Sequence, residues 1–228
     1  MNIALILAGG VGTRFGAEIP KQFIKVKGKP ILIYCLESFE NDSSIDEIVL
    51  VCVESYIGLA KELCEKYGIK KLKMVVPGGA SFLESCMKGM EKIGTYAALD
   101  DIVVITSADR PMISAEEIDD SIDKAVKYGS GIAAKPCALC MFETTDDRSC
   151  SSSYKRDNLM QAATPWSFKY GLLEDALNQY VSGNLKECES YPTAIYVAAG
   201  YKVYFSVAKS ENMKITEKKD IVLFEQMI

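Results

Sequence analysis

The chain has 228 residues, 49% of them apolar and 25% charged, with a net charge of −5. That length supports a sizeable α/β core, and the acidic balance speaks against nonspecific binding of nucleic acid or of a membrane surface. No segment approaches the ~18–20 apolar residues that cross a bilayer. The absence of histidine excludes Ser-His-Asp and Cys-His nucleophiles and His-liganded metals.

The first expected element is a strand over Asn2–Leu7, a short apolar run without the basic flank of a signal peptide. It ends in Gly9-Gly10-Val11-Gly12-Thr13-Arg14, and Pro20-Lys21-Gln22 follows. Glycines let backbone N–H groups close on an anion. Arg14 and Lys21 can then neutralise one group from two sides. The run matches neither of two commoner phosphate loops. The dinucleotide fingerprint needs a third glycine where Phe15 stands, and a Walker loop needs Lys followed by Ser or Thr, whereas Lys21 precedes Gln22.

Farther along, helical and strand patterns alternate. A helix is expected over Pro30–Phe39, with proline suited to a first turn, then a strand over Glu47–Val53 and a helix over Tyr56–Tyr67. A strand over Leu72–Val76 leads through Pro77-Gly78-Gly79 into a helix over Ala80–Ile93 that carries Ser85. Bare backbone at such a helix start can read a flat base edge. A strand over Ile102–Thr106 ends in Ser107-Ala108-Asp109-Arg110-Pro111, where a carboxylate at a strand end suits metal–phosphate binding, or else forms a local ion pair with its neighbour. Ser114 and Glu117 form a capping-box signature for a helix over Ala115–Lys127, and a strand follows over Gly131–Ala134.

Residues 137–155 are polar and serine-rich and break the rhythm, as a surface loop or as an arm reaching a second subunit. Beyond them a helix is expected over Ser167–Tyr180, a strand over Lys202–Val207 and a helix over Glu217–Met227. Together these elements predict one α/β domain over residues 1–228, with a mainly parallel sheet, helices on both faces and an insertion at about 137–155. Ligands of such sheets bind outside the carboxyl ends of the strands.

Of the eight cysteines, Cys35, Cys52, Cys64 and Cys86 sit in apolar periodic segments and read as buried free thiols, which fits a cytoplasmic location. Cys137 and Cys140, with Cys150 and Cys188, admit a zinc site on spacing alone. A chain without imidazole can still transfer groups between phosphates, because the attacking oxygen is already ionised and fixed positive charge lowers the barrier.

In chain order, Leu7-Ala8-Gly9-Gly10-Val11-Gly12-Thr13-Arg14 with Pro20-Lys21-Gln22, Gly78-Gly79 with Ser85, Ala108-Asp109-Arg110-Pro111, Arg156-Asp157-Asn158-Leu159 with Ala162-Ala163-Thr164-Pro165, and Asn212-Met213-Lys214-Ile215-Thr216 span nearly the whole sequence. This series resembles the cytidylyltransferases that act on 2-C-methyl-D-erythritol 4-phosphate, in isoprenoid biosynthesis, and on ribitol 5-phosphate. The resemblance implies a Rossmann-like, GT-A-like nucleotidyltransferase fold and a homodimer built by the arm. It implies transfer of CMP from CTP to a phosphorylated sugar alcohol, with Mg²⁺ and release of pyrophosphate. By position, Ala8, Gly9, Gly10 and Gly12 would wrap the triphosphate, and Arg14, Lys21 and Lys214 would supply charge. Gly78, Gly79, Ser85 and Ala108 would hold cytidine. Arg110, Thr164 and, from a partner subunit, Arg156 would bind the acceptor.

The departures fall on the acceptor side. Where the family has His-Asp-Ala-x-Arg-Pro this chain has Thr106-Ser107-Ala108-Asp109-Arg110-Pro111, so the aspartate stands two positions later. Asp109 matches instead the metal-holding aspartate of more distant sugar nucleotidyltransferases. The usual Arg-Asp-Thr at the arm's base is Ala138-Leu139-Cys140, and the usual Thr-Asp-Glu/Asp-Ala is Ser190-Tyr191-Pro192-Thr193. An acceptor other than the two familiar alcohols, UTP in place of CTP, and a non-catalytic nucleotide-binding module all remain open on sequence.

Overall fold

The computed structural model describes residues 1–10 and 19–228. The first strand, β1 (Asn2–Ala8), is buried along almost its whole length, as its unbroken apolar run requires of a strand covered on both faces. A 3₁₀ turn at Lys21–Phe23 and a hairpin of β2 (Lys25–Val26) and β3 (Lys29–Pro30) lead into α1 (Ile31–Glu40). Then come β4 (Glu47–Cys52), α2 (Ile57–Lys66), β5 (Leu72–Pro77), α3 (Phe82–Ile93), β6 (Ile102–Ser107) and α4 (Ala115–Tyr128). The expected capping box starts α4: Ser114 Oγ accepts from the Glu117 amide while Glu117 accepts from the Ser114 amide.

The second half contains β7 (Ser130–Pro136), the exposed pair β8 (Met141–Glu143) and β9 (Ser152–Tyr154), and β10 (Met160–Lys169). It ends with α5 (Tyr170–Val181), α6 (Pro192–Ala198), β11 (Phe205–Ser206) and α7 (Lys218–Met227). The central sheet has seven strands in the order β11-β7-β10-β6-β1-β4-β5. Every pairing in it is parallel except the two made by β10. Residues of α1, α2 and α4 cover one face together with Ala4, Ile6 and Ala8. Those of α3, α5 and α6 cover the other with Ile3, Leu5 and Leu7. A small third cluster around Phe224 fixes α7 to Val26, Ile31 and Ile215.

Two expectations are corrected and one helix is additional. The residues expected to open a helix at Ser167 belong to β10, and α5 begins at Tyr170. A proline within the run demotes a strand reading, yet the pairing of β10 with β7 shifts register between Ala162 and Trp166 and so accommodates Pro165, which has no N–H to donate. The strand expected over Lys202–Val207 shortens to Phe205–Ser206. Helix α6 was not anticipated, although Pro192 occupies its first turn, where proline is favoured.

Candidate active site

The sheet order reverses around β1, whose neighbours are β4 on one side and β6 on the other. A crevice outside the carboxyl ends of strands at such a reversal is the usual binding place in α/β sheets. The parallel register aligns Ala8 with Cys52 and Leu7 with Ser107, so the segments after β1, β4 and β6 leave the sheet side by side. The Ala108 amide donates back to the Leu7 carbonyl at 2.9 Å, keeping the β6 turn against β1.

The turn after β5 folds onto the same place. Gly78 N–H donates to the Cys52 carbonyl at 2.8 Å, and Gly79 N–H donates to Ser85 Oγ at 3.0 Å. A Cβ on Gly9 would stand 2.8 Å from Ser85 Oγ and 3.5 Å from Gly78 Cα. Two glycine turns thus meet back to back, which larger residues would prevent. Among the described residues, none has an atom within 4 Å of where a Cβ on Gly10 would stand. Ser81 caps α3 by accepting from the Glu84 amide, so the positive end of that helix opens beside the glycines.

Gln22, on the 3₁₀ turn, is buried and donates through Nε2 to the carbonyls of Ala8 at 2.6 Å and Gly10 at 3.1 Å. Its neighbour Lys21 is thereby carried to the crevice. The Lys21 ammonium is 2.5 Å from Asp109 Oδ2 and donates to the Ile215 carbonyl at 2.8 Å. Ser107 Oγ donates to Asp109 Oδ1 at 2.6 Å. Asp109 therefore pairs with Lys21, and not with the adjacent Arg110, the alternative that sequence left open.

Arg110 turns the other way and donates to the Asn212 carbonyl at 2.7 Å. Burial holds its guanidinium below the ordinary arginine value, while Asp109 and Glu117 act against that shift. Asn212 Nδ2 donates to the Thr164 carbonyl at 2.7 Å and to Glu117 Oε1 at 3.0 Å. Thr164 is buried and shares a 2.6 Å hydrogen bond with Thr106 through their hydroxyls.

The structure thus brings together Ala8, Gly9, Gly10, Lys21, Gly78, Gly79, Ser85, Ala108, Asp109, Arg110 and Thr164. Lys214 lies on the strap 212–216, whose Ile215 amide donates to the Asp109 carbonyl at 2.8 Å. Arg156 lies apart, exposed on a 3₁₀ turn at the base of the β8–β9 arm. Gly12 and Arg14 fall outside the described residues. Sequence reasoning missed the buried Gln22 that holds the end of β1 and the separate buried pair of Glu117 and Asn212. Their signal was a polar residue embedded in each motif already singled out.

The cysteines offer no reactive thiol in the core. Burial pushes Cys52 up to about 11 and Cys86 up to about 12, leaving both as thiols at neutral pH. Among the described residues no three His, Cys, Asp or Glu side chains come together as a metal cluster, so the spacing-based zinc site has no geometric support.

This sheet with its glycine-lined crevice is the Rossmann-like nucleotidyltransferase fold. Over 99% of this chain and 97% of the other, it superposes on 4-diphosphocytidyl-2C-methyl-D-erythritol synthase from Anaerococcus prevotii with a TM-score of 0.82 at 22% identity. The family model described as 2-C-methyl-D-erythritol 4-phosphate cytidylyltransferase matches residues 2–228, and the chain belongs to that family, IspD. It is 34% identical to a ribitol-5-phosphate cytidylyltransferase from Lacticaseibacillus paracasei over 99% of this chain and 97% of the relative. It is 32% identical to a 2-C-methyl-D-erythritol 4-phosphate cytidylyltransferase from Clostridium botulinum over 100% and 97%. The protein is a cytidylyltransferase. No helix among the described residues is long and apolar enough to cross a membrane.

Proposed function

We propose that the crevice binds CTP and a phosphorylated sugar alcohol of the methylerythritol phosphate or ribitol phosphate type, and joins them with loss of pyrophosphate. The observation that carries this reading is the convergence of Lys21 with the glycine turns after β1 and β5. The acceptor's phosphate oxygen attacks the α-phosphorus in line and needs no base. Ala8, Gly9, Gly10 and Gly12 wrap the triphosphate, the glycines through their backbone N–H groups. Arg14, Lys21 and Lys214 stabilise the charge that develops on it. Gly78, Gly79 and Ser85 hold cytosine and ribose, with Ala108 against the sugar, and Arg110 and Thr164 hold the acceptor with Arg156 of the partner subunit.

A magnesium ion fits as a companion of the nucleotide, since such ions take one or two carboxylates together with substrate phosphates. Among the described residues, Asp109 is the carboxylate that stands beside Lys21 in the crevice. It would hold the ion, which would neutralise phosphate charge. The buried free thiols Cys35, Cys52, Cys64 and Cys86 agree with a cytoplasmic location.

A second reading of the acceptor rests on Tyr191, whose ring packs 5.7 Å from Phe82 and 6.4 Å from Trp166. This aromatic cluster includes a residue of the 190–193 segment, where the family pattern has carboxylates, and so favours a less hydroxylated phosphate or a phosphonate. Pyrophosphate release with CTP against methylerythritol phosphate, ribitol phosphate, glycerol phosphate and small phosphonates separates the readings. With the preferred acceptor, Arg14→Ala and Lys21→Ala are each expected to lower turnover by at least ~10²-fold, with a modest loss of CTP affinity. Near-normal turnover in either variant removes that residue from the mechanism.

A further inference from the structure

Among the described residues, the ion pair between Lys21 and Asp109 is the most enclosed charge contact of the crevice. Their side chains are only 15% and 10% exposed, with Nζ 2.5 Å from Oδ2. Each partner is fixed independently. Lys21 also donates to the Ile215 carbonyl, and Asp109 accepts from Ser107 Oγ while its own carbonyl accepts from the Ile215 amide. The pair therefore joins the 3₁₀ turn after β1, the end of β6 and the strap 212–216.

Such a pair is a poor source of stability, because taking both ions out of water offsets their attraction. It has a clear consequence for binding. A triphosphate entering beside it meets an ammonium already committed to a carboxylate, and a carboxylate that repels it. Without a metal ion on Asp109, charge alone cannot favour that arrangement unless the ammonium changes partner.

We infer that Asp109 is a positioning residue for Lys21: it holds the ammonium at the crevice in the free enzyme and gives it up to the phosphates when nucleotide binds. This rests on the reading that Lys21 meets the triphosphate. The exchange explains why a carboxylate stands directly beside a group proposed to act on phosphate. It also places the strap under the control of the nucleotide, since Ile215 contacts both partners.

The test is CTP affinity, measured by calorimetry in buffer free of divalent metal, for the wild type, Asp109→Asn, Lys21→Met and the double variant. If the pair must open, removing the carboxylate tightens CTP binding by about tenfold when Lys21 is present and by about twofold or less in the Lys21→Met background. If the pair stays closed in the complex, the two charges act on the phosphates independently. Asp109→Asn then changes affinity by the same factor in both backgrounds, which overturns the inference while leaving the site intact. A Lys21→Met variant with unchanged CTP affinity and turnover overturns instead the reading of Lys21 on which the inference rests. Melting midpoints accompany each measurement, and Asp109→Ser replaces Asp109→Asn should the latter not fold.

Discussion

At the scale of single residues, Gln22 decides whether the phosphate loop has a fixed entrance. Its amide donates to two carbonyls, Ala8 and Gly10, where the chain leaves β1. Gln22→Ala removes two side-chain hydrogen bonds, one of them buried, a loss of ~1–3 kcal/mol. The expected result in denaturant titration is a lower midpoint of that size, together with a raised KM for CTP. Unchanged stability with unchanged KM would show that the loop is held otherwise. Sequence displayed Gln22 inside Pro20-Lys21-Gln22 but not its partners, because the carbonyls it meets are chosen by where the chain returns. Asp109 is a parallel case. Its neighbour in sequence is Arg110, yet successive side chains leave the turn in different directions and the actual partner comes from the other side of β1.

At the scale of elements, the site depends on how closely α3 lies on the sheet, since α3 carries Ser85 and opens at Gly79. A Cβ on Gly89 would stand 2.4 Å from Leu5 Cδ1 and 3.0 Å from Val51 Cγ2, and both of those side chains are fully buried. Gly89→Ala gains up to ~1 kcal/mol of helix propensity, but overpacking a filled core costs ~1–3 kcal/mol. The expected balance is a loss of about 1 kcal/mol, seen as a lower urea midpoint at unchanged slope, with weaker CTP binding as Ser85 moves off Gly79. A gain in stability would mean that the core yields there. Apart from the short hairpin β2–β3, which takes in the Pro30 expected to open a helix, the strands and helices up to β7 were legible because apolar runs and 3.6-residue stripes alternate. β10 was not, because Pro165 and a bulge break its alternation. α6 has only seven residues, too few for a periodic stripe.

At the scale of the whole molecule, the arm carries apolar side chains into solvent: Leu139 is 72% exposed, Phe142 60% and Tyr154 50%. Exposed apolar groups gathered on a two-stranded hairpin that stands off the core mark an association surface. The proposed homodimer would use it, with Arg156 at its base completing the partner's site. A mixing experiment tests that arrangement. Lys21→Ala and Arg156→Ala chains each make inactive homodimers, since every site in them lacks one group. In a mixed dimer, one site takes Lys21 from the Arg156→Ala chain and Arg156 from the Lys21→Ala chain, so it is complete. The other site lacks both. Random exchange makes about half of the dimers mixed and so restores about a quarter of the sites. Turnover of the mixture is therefore expected to rise to about a quarter of the wild-type value after the subunits are dissociated and reassociated together. Activity that stays at the mean of the two separate variants would mean that each chain supplies its own arginine, and the arm would then have no part in a shared site.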